Sequence, residues 1–315
     1  MTPLSTLLRE EIARNGPISF HRFMEAALYH PEYGYYRRPG RDPFGKEGDF
    51  FTAEQLQPVF GILIAARIRS LYREMGEPSD FQVVELGPGR GEMAEALDNL
   101  KLVPIAGELP QLFRGAVFSN EFFDALPVHR VVWVGGAPRE SLVGWSDDRF
   151  VWVNGDRVAG EIREYVDRHF PDSPDRSSAE VNLDALRWME RIARSLQSGY
   201  VFTIDYGYTA TESKRFPAGT LMSYRRHTVS EDVLTDPGDR DITAHVCFTA
   251  LEEHGKKLGL EKVRFERLSQ TLLDAGEADQ FAAALTGPDE VRRRLQLKTL
   301  LFGMGETFRV LLQKK

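Results

Sequence analysis

The sequence predicts an α/β fold built on βαβ units, and three stretches predict it. Phe81 to Leu86 is a short apolar strand carrying β-branched Val83 and Val84, and it runs into Gly87-Pro88-Gly89-Arg90-Gly91 and then the helix-forming Glu92 to Leu97. Gly115 to Asn120 is a second buried strand, with Asn120, Glu121 and Asp124 at its carboxyl end. Tyr200 to Tyr208 is a third, ending in Asp205. Ligands of open α/β sheets bind beyond the carboxyl ends of the strands, so Asn120, Glu121 and Asp124 should face the same crevice as the glycine turn. The alternative for Asn120 and Asp124 is that they cap a short helix.

The glycine turn narrows the ligand. Its spacing is G-x-G-x-G, whereas a dinucleotide fingerprint is G-x-G-x-x-G with a pyrophosphate on the helix N-terminus. Glu85, two residues before Gly87, would repel a pyrophosphate. The same carboxylate suits a cationic ligand, which favours the sulfonium and amino acid moiety of S-adenosylmethionine. A strand and turn without any ligand is the competing reading.

Composition sets the outer bounds. The 315 residues, 42% of them hydrophobic, suffice for one large domain or two modest ones. A net charge of -7 argues against a general nucleic-acid or anionic-membrane surface, and Arg292-Arg293-Arg294 reads as a solvated helix face. The single cysteine, Cys247, excludes an internal disulfide and a multi-cysteine metal site and fits a reducing compartment. No apolar run is long enough for a bilayer, and the first fifteen residues lack a signal-peptide core, so the expected location is cytoplasmic, with no metal.

Taken in order, Leu4, Leu7, Leu8 and Ile12 predict a helix stopped by Gly16-Pro17, and Ser19 predicts the N-cap of a second helix over Phe20 to Tyr29. An aromatic, turn-rich segment follows to Tyr36, then a loop from Gly45 to Glu54 that either folds over a ligand or plugs the domain base. Val59 to Met75 is a long amphipathic helix. Beyond the glycine turn a helix is expected from Glu92 to Leu100, then a short apolar run, Leu102 to Ile105. His129 to Asp156 alternates as strands with turns at Gly135-Gly136 and Asn154-Gly155, a β insertion on the core. Helices are expected over 160–169 and 183–196, an irregular substrate loop to Ala244, a helix to Lys257, a strand over Lys262 to Leu268, two helices, and a last strand at Phe308 to Leu312. The domain reading is an N-terminal helical and lid segment over 1–78 and a core over 79–315, with insertions at about 128–180 and 206–245.

With these segments laid out, the chain resembles the MidA family of S-adenosylmethionine-dependent methyltransferases, relatives of a mitochondrial complex I assembly factor that methylates arginine. The resemblance rests on Pro17-Ile18-Ser19-Phe20, Gly34-Tyr35-Tyr36, Gly48-Asp49-Phe50 with Thr52, Glu85 to Gly91, Asn120 to Pro127, Ile204-Asp205-Tyr206-Gly207 and Asp241 to Val246, in one order along most of the chain. It implies a Rossmann-like class I methyltransferase fold, a mainly parallel sheet with helices on both faces and an antiparallel last strand. It also implies a donor site drawn from Glu85, Gly87, Pro88, Gly89, Gly91, Asp49, Thr52 and Asn120.

Two departures stand out. The second strand of this fold normally ends in an acid that holds the ribose hydroxyls and is followed by a helix and a third strand, yet only about sixteen residues separate Leu100 from Ala116. The expectation is that Leu102 to Ile105 is the third strand, that the second is lost, and that Glu108 is the nearest substitute for the acid. The exposed sheet edge would then be covered by a partner, by a second copy in a homodimer, or by the N-terminal segment. The second departure is Cys247, where the family pattern has an aspartate. For an arginine acceptor on a protein partner, Glu121 and Asp124 would fix the guanidinium and His245 would take the released proton. A small-molecule O- or N-methyltransferase and a non-catalytic binding protein are the rival readings.

Overall fold

The computed structural model describes residues 2–40, 56–105, 107–225 and 228–315. In chain order the elements used below are α1 (Pro3–Asn15), β1 (Ile18–Ser19), α2 (Phe20–Tyr29), α3 (Val59–Glu74), β2 (Phe81–Leu86), β3 (Lys101–Ile105), β4 (Phe113–Asn120), β5 (His129–Val134), β6 (Ala137–Ser146), β7 (Arg149–Arg157), α4 (Gly160–His169), β8 (Ser178–Val181), α5 (Leu183–Ser195), β9 (Leu196–Tyr208), β10 (Met222–Arg225), β11 (Thr228–Ser230), β12 (Asp241–Thr243), β13 (Val246–Cys247), α6 (Phe248–Lys257), β14 (Glu261–Arg267), α7 (Leu268–Glu277), α8 (Ala282–Leu285), α9 (Glu290–Thr299), and β15 (Phe308–Lys314). They divide into two compact units, one of Met1–Phe51, Phe123–Leu186 and Tyr208–Cys247, the other of Thr52–Phe122, Arg187–Gly207 and Phe248–Lys315. No helix among the described residues is long and apolar enough to cross a membrane.

The second unit holds an open sheet in the order β14-β15-β9-β4-β2-β3. Strands β3, β2, β4 and β9 are parallel, and β15 is antiparallel to both β9 and β14. Val83, Phe118, Phe202 and Val310 from the sheet, Ile64 and Ile68 from α3, and Leu272 from α7 are buried in one core. The register aligns the strand ends: Leu86 pairs with both Ile105 and Ser119, and Asn120 pairs with Ile204.

That register corrects the strand assignment. In a doubly wound sheet of order 3-2-1-4-5 the strand beside the first is the second. Lys101–Ile105 is hydrogen-bonded directly to β2 and therefore takes the second place; the strand missing is the outer, third one. β3 is the edge of this sheet, with Lys101 and Pro104 exposed, and Pro104 withholds one donor from it. A second correction concerns Glu92 to Leu100. These residues form successive turns, with Gly91 N–H donating to Pro88 O and Ala94 N–H to Gly91 O. The helix-forming side chains are outweighed by Gly87, Gly89 and Gly91, all at left-handed φ (62°, 53° and 81°), so helical bonding does not start cleanly. Met93 and Leu97 are nevertheless fully buried.

In the first unit, Thr2 and Ser19 cap α1 and α2 by accepting from Ser5 N–H and Arg22 N–H, and Gly16 ends α1 at a φ of 81°. Apolar faces of both helices are buried with Val128, Val143 and Ile242. The β insertion is a sheet of order β1-β6-β5-β8 with β7 on β6. Gly135-Gly136 makes its first turn, as expected. The break between Trp145 and Arg149 is a turn at Asp147-Asp148, at φ of 51° and 57°, whereas Asn154-Gly155, expected to turn the chain after Val153, sits inside β7 where the pairing with β6 is irregular. Aspartate tolerates the left-handed region nearly as well as asparagine, which is why the second signal misled. The segment expected to be an irregular loop contains the small sheet β11-β10-β12.

Candidate active site

The glycine turn and the ends of β2, β4 and β9 converge in the second unit. Glu85 is only 1% exposed, and neither of its carboxylate oxygens has a hydrogen-bond partner among the described residues. Burial, and secondarily the charge of Glu92, pushes its pKa up to about 7. A buried acid without a donor is costly and is expected where a ligand completes the site. Gly87 follows at left-handed φ, and a Cβ there would lie 2.9 Å from Phe122 Cδ2, so the turn can pass this ring only as glycine.

At the end of β4, Asn120 is buried and its Oδ1 is likewise without a partner among the described residues. Its Nδ2 donates to Glu121 Oε1 at 3.2 Å, and the Tyr206 hydroxyl donates to Glu121 Oε2 at 3.2 Å. Glu121 N–H bonds Ile204 O at 3.0 Å, and the residue is held at a φ of 50°, unusual for a side chain of its size. No helix begins at Asn120 or Asp124, which removes the capping alternative. Beyond Ile105, Glu108 is exposed in the loop after β3. Arg191 steadies that loop by donating to Gly107 O at 2.6 Å; its guanidinium lies 3.8 Å from the centroid of Trp188, whose ring meets Phe122 edge-on at 5.1 Å.

The other two expected acceptor residues belong to the first unit. Asp124 is buried, its carbonyl accepts from Ala244 N–H at 2.9 Å, and its charge helps raise the hydroxyl pKa values of Tyr29 and Tyr36 beyond the effect of burial. Tyr36 donates to Asp241 Oδ1 at 2.8 Å and stacks on Tyr29 at 5.7 Å. His245 N–H donates to Thr220 Oγ1 at 2.9 Å, its ring meets Phe216 at 5.3 Å, and burial pushes its pKa down. Asp49 and Thr52 lie outside the described residues. Tyr206, Trp188 and Arg191 were not singled out as site residues from the sequence; Tyr206 stands in the quoted Ile204 to Gly207 segment, while the other two carried no motif.

A family model for S-adenosyl-L-methionine-dependent methyltransferases matches residues 97–266, more than half of the chain. The chain belongs to this methyltransferase family. A crystal structure from Burkholderia thailandensis, bound to S-adenosyl-homocysteine, superposes on this methyltransferase with a TM-score of 0.87 at 27% identity, over 99% of this chain and 92% of that one. Among sequence relatives, the Drosophila melanogaster protein arginine methyltransferase NDUFAF7 homolog is 29% identical, over 78% of this chain and 68% of its own length. Human protein arginine methyltransferase NDUFAF7 is 25% identical, over 84% of this chain and 72% of its own. The chain thus spans about two thirds of the length of these relatives.

The methyl donor is S-adenosylmethionine, and the residues at the turn fit it. The bare carboxylate of Glu85 suits its ammonium and sulfonium charges, the unpartnered Oδ1 of Asn120 offers a further acceptor, and the turn presents backbone free of side chains. When bound, the donor supplies an electrophilic methyl group.

Proposed function

We propose that this methyltransferase methylates arginine side chains on a protein partner, a reading that rests most on the two-sided clamp on Glu121. A carboxylate whose oxygens are each held by a neutral donor keeps a fixed orientation, so it can accept two N–H groups of a planar guanidinium. Ion pairing to two nitrogens concentrates the lone pair on the third, which is what in-line attack on a methyl group requires. Asp124, expected from the sequence as a second carboxylate, is buried in the first unit beside Tyr29 and Tyr36. His245, in the first unit, has its pKa pushed down by burial, which favours the neutral form that can accept a proton. Glu85, Gly87, Pro88, Gly89, Gly91 and Asn120 hold the donor, with Glu108 on its ribose, since it follows the strand in the second place. The names of the relatives support the same acceptor. The rival non-catalytic reading loses its basis, because it depended on losing the second strand.

The support for a reducing, cytoplasmic setting is the single cysteine of the sequence, Cys247. The test is comparative mass spectrometry of methylated arginines in cells carrying the wild-type chain or Glu121→Gln. Sites present only with the wild type support the proposal; donor turnover without any such site, on a small molecule alone, overturns it.

A further inference from the structure

A cavity of about 470 Å³ lies within the first unit, and none of its lining residues is among those assigned above to the donor. Its floor is Glu180, 3% exposed, and Ser178, also buried. Glu180 Oε2 accepts from both Thr220 N–H at 3.0 Å and Thr220 Oγ1 at 2.9 Å, which fixes the carboxylate plane. Its other oxygen, Oε1, and Ser178 Oγ are both fully buried with no hydrogen-bond partner among the described residues. Both lie close to Gly219: a Cβ added to it would stand 2.3 Å from Oε1 and 3.1 Å from Oγ. Arg130 is directly opposite Glu180 in the β5–β8 pairing and its charge acts on the carboxylate, while its guanidinium donates to Ser141 Oγ at 2.9 Å and lies over Trp152 at 4.5 Å. The walls include Tyr208 and Phe216, with ring centroids 5.6 Å apart, and at the rim Lys214 is paired with Asp172 at 3.6 Å.

We propose that this cavity is a second cation pocket, which takes the guanidinium of an arginine side chain of the protein substrate other than the one being methylated. Two bare acceptors beside the same glycine call for a donor with several N–H groups, and aromatic walls suit a planar, weakly hydrated cation better than an ammonium. Burial also pushes the Glu180 pKa up, so an entering cation restores the charge that burial disfavours. The biological occupant rests on the protein-substrate reading above, whereas the chemistry of the pocket does not. Through Thr220, whose hydroxyl also receives His245 N–H, occupancy of the pocket is linked to the loop that holds His245.

The experiment is calorimetric titration of the full chain with N-acetyl-arginine amide and with its neutral isostere N-acetyl-citrulline amide. Saturable binding of the arginine probe, at least tenfold tighter than the citrulline probe, is expected. Glu180→Gln and Ser178→Ala should each weaken it severalfold, and Gly219→Ala should abolish it by filling the space beside the two acceptors, while Glu85→Gln and Glu121→Gln leave this binding in place. Ser178→Ala, a conservative change, keeps the test decisive where Gly219→Ala fails to fold. Equal binding of the two probes, or no binding of either, overturns the proposal. So does loss of arginine binding in Glu121→Gln alone, an outcome that would leave the proposed acceptor site standing.

Discussion

Two glutamates at the ends of neighbouring strands have opposite surroundings. Glu85, ending β2, is buried and has no donor among the described residues, and its pKa is about 7. Glu121, following β4, is held by Asn120 on one oxygen and Tyr206 on the other. In the proposed site the first takes its charge from the ligand, whereas the second has its direction set beforehand by two hydrogen bonds. The proposal therefore gives one residue type two roles, binding in one place and orientation in the other, and the difference comes from neighbours contributed by β4 and β9 rather than from the glutamates themselves.

The contrast can be broken most severely at Glu121. Glu121→Gln keeps the size and the shape but removes the charge that fixes a guanidinium, so turnover should fall roughly a hundredfold or more, about 3 kcal/mol, with donor affinity unchanged. Steady-state rates alongside titration with S-adenosylhomocysteine check this; a proportional loss of donor affinity would mean that Glu121 belongs to the donor site.

Glu85 should reveal itself in stability. Its folded pKa of about 7 exceeds the ordinary 4.5, so between those values the folded state holds the extra proton and the unfolded state does not. Stability contributed by this group is present below pH 4.5 and is lost as pH rises through 7, a change of about 3 kcal/mol over the window. Ligand-free Glu85→Gln should lack this decline and be the more stable protein at pH 8, by denaturant unfolding. A wild type and variant with parallel pH profiles would show that Glu85 has a partner in solution.

The smallest effect is expected at Tyr206. Tyr206→Phe removes one of the two donors on Glu121 and should slow turnover roughly tenfold, about 1 to 2 kcal/mol, without altering donor affinity. An unchanged rate would show that the Tyr206 hydroxyl does not orient Glu121.

How much of this was legible in the sequence depended on whether the signal was local. α1 and α2 were readable from their periodicity, their caps and Gly16, and β2, β4 and β9 from apolar runs bounded by turns. Sheet order was not, because nothing local to Lys101–Ile105 says which strand it will pair with; only the register with β2 assigns it the second place. The turns over Glu92 to Leu100 were misread because helix propensity was weighed without the backbone cost of three left-handed glycines just before. Glu85 was identified by charge and position alone. The roles of Tyr206, Trp188 and Arg191 depend on contacts with residues distant in sequence, so only folding brings them into view.

The central claim, that Glu85 receives its charge from the donor, has a direct measurement. Titration of S-adenosylhomocysteine by calorimetry at pH 6.5, in buffers of different ionisation enthalpy, counts protons released on binding. The wild type should release most of one proton, with affinity rising up to about tenfold per unit as pH increases toward 7 and then levelling off, while Glu85→Gln binds more weakly and releases none. Binding in the wild type that is independent of pH and releases no proton, with Glu85→Gln equally tight, would contradict it.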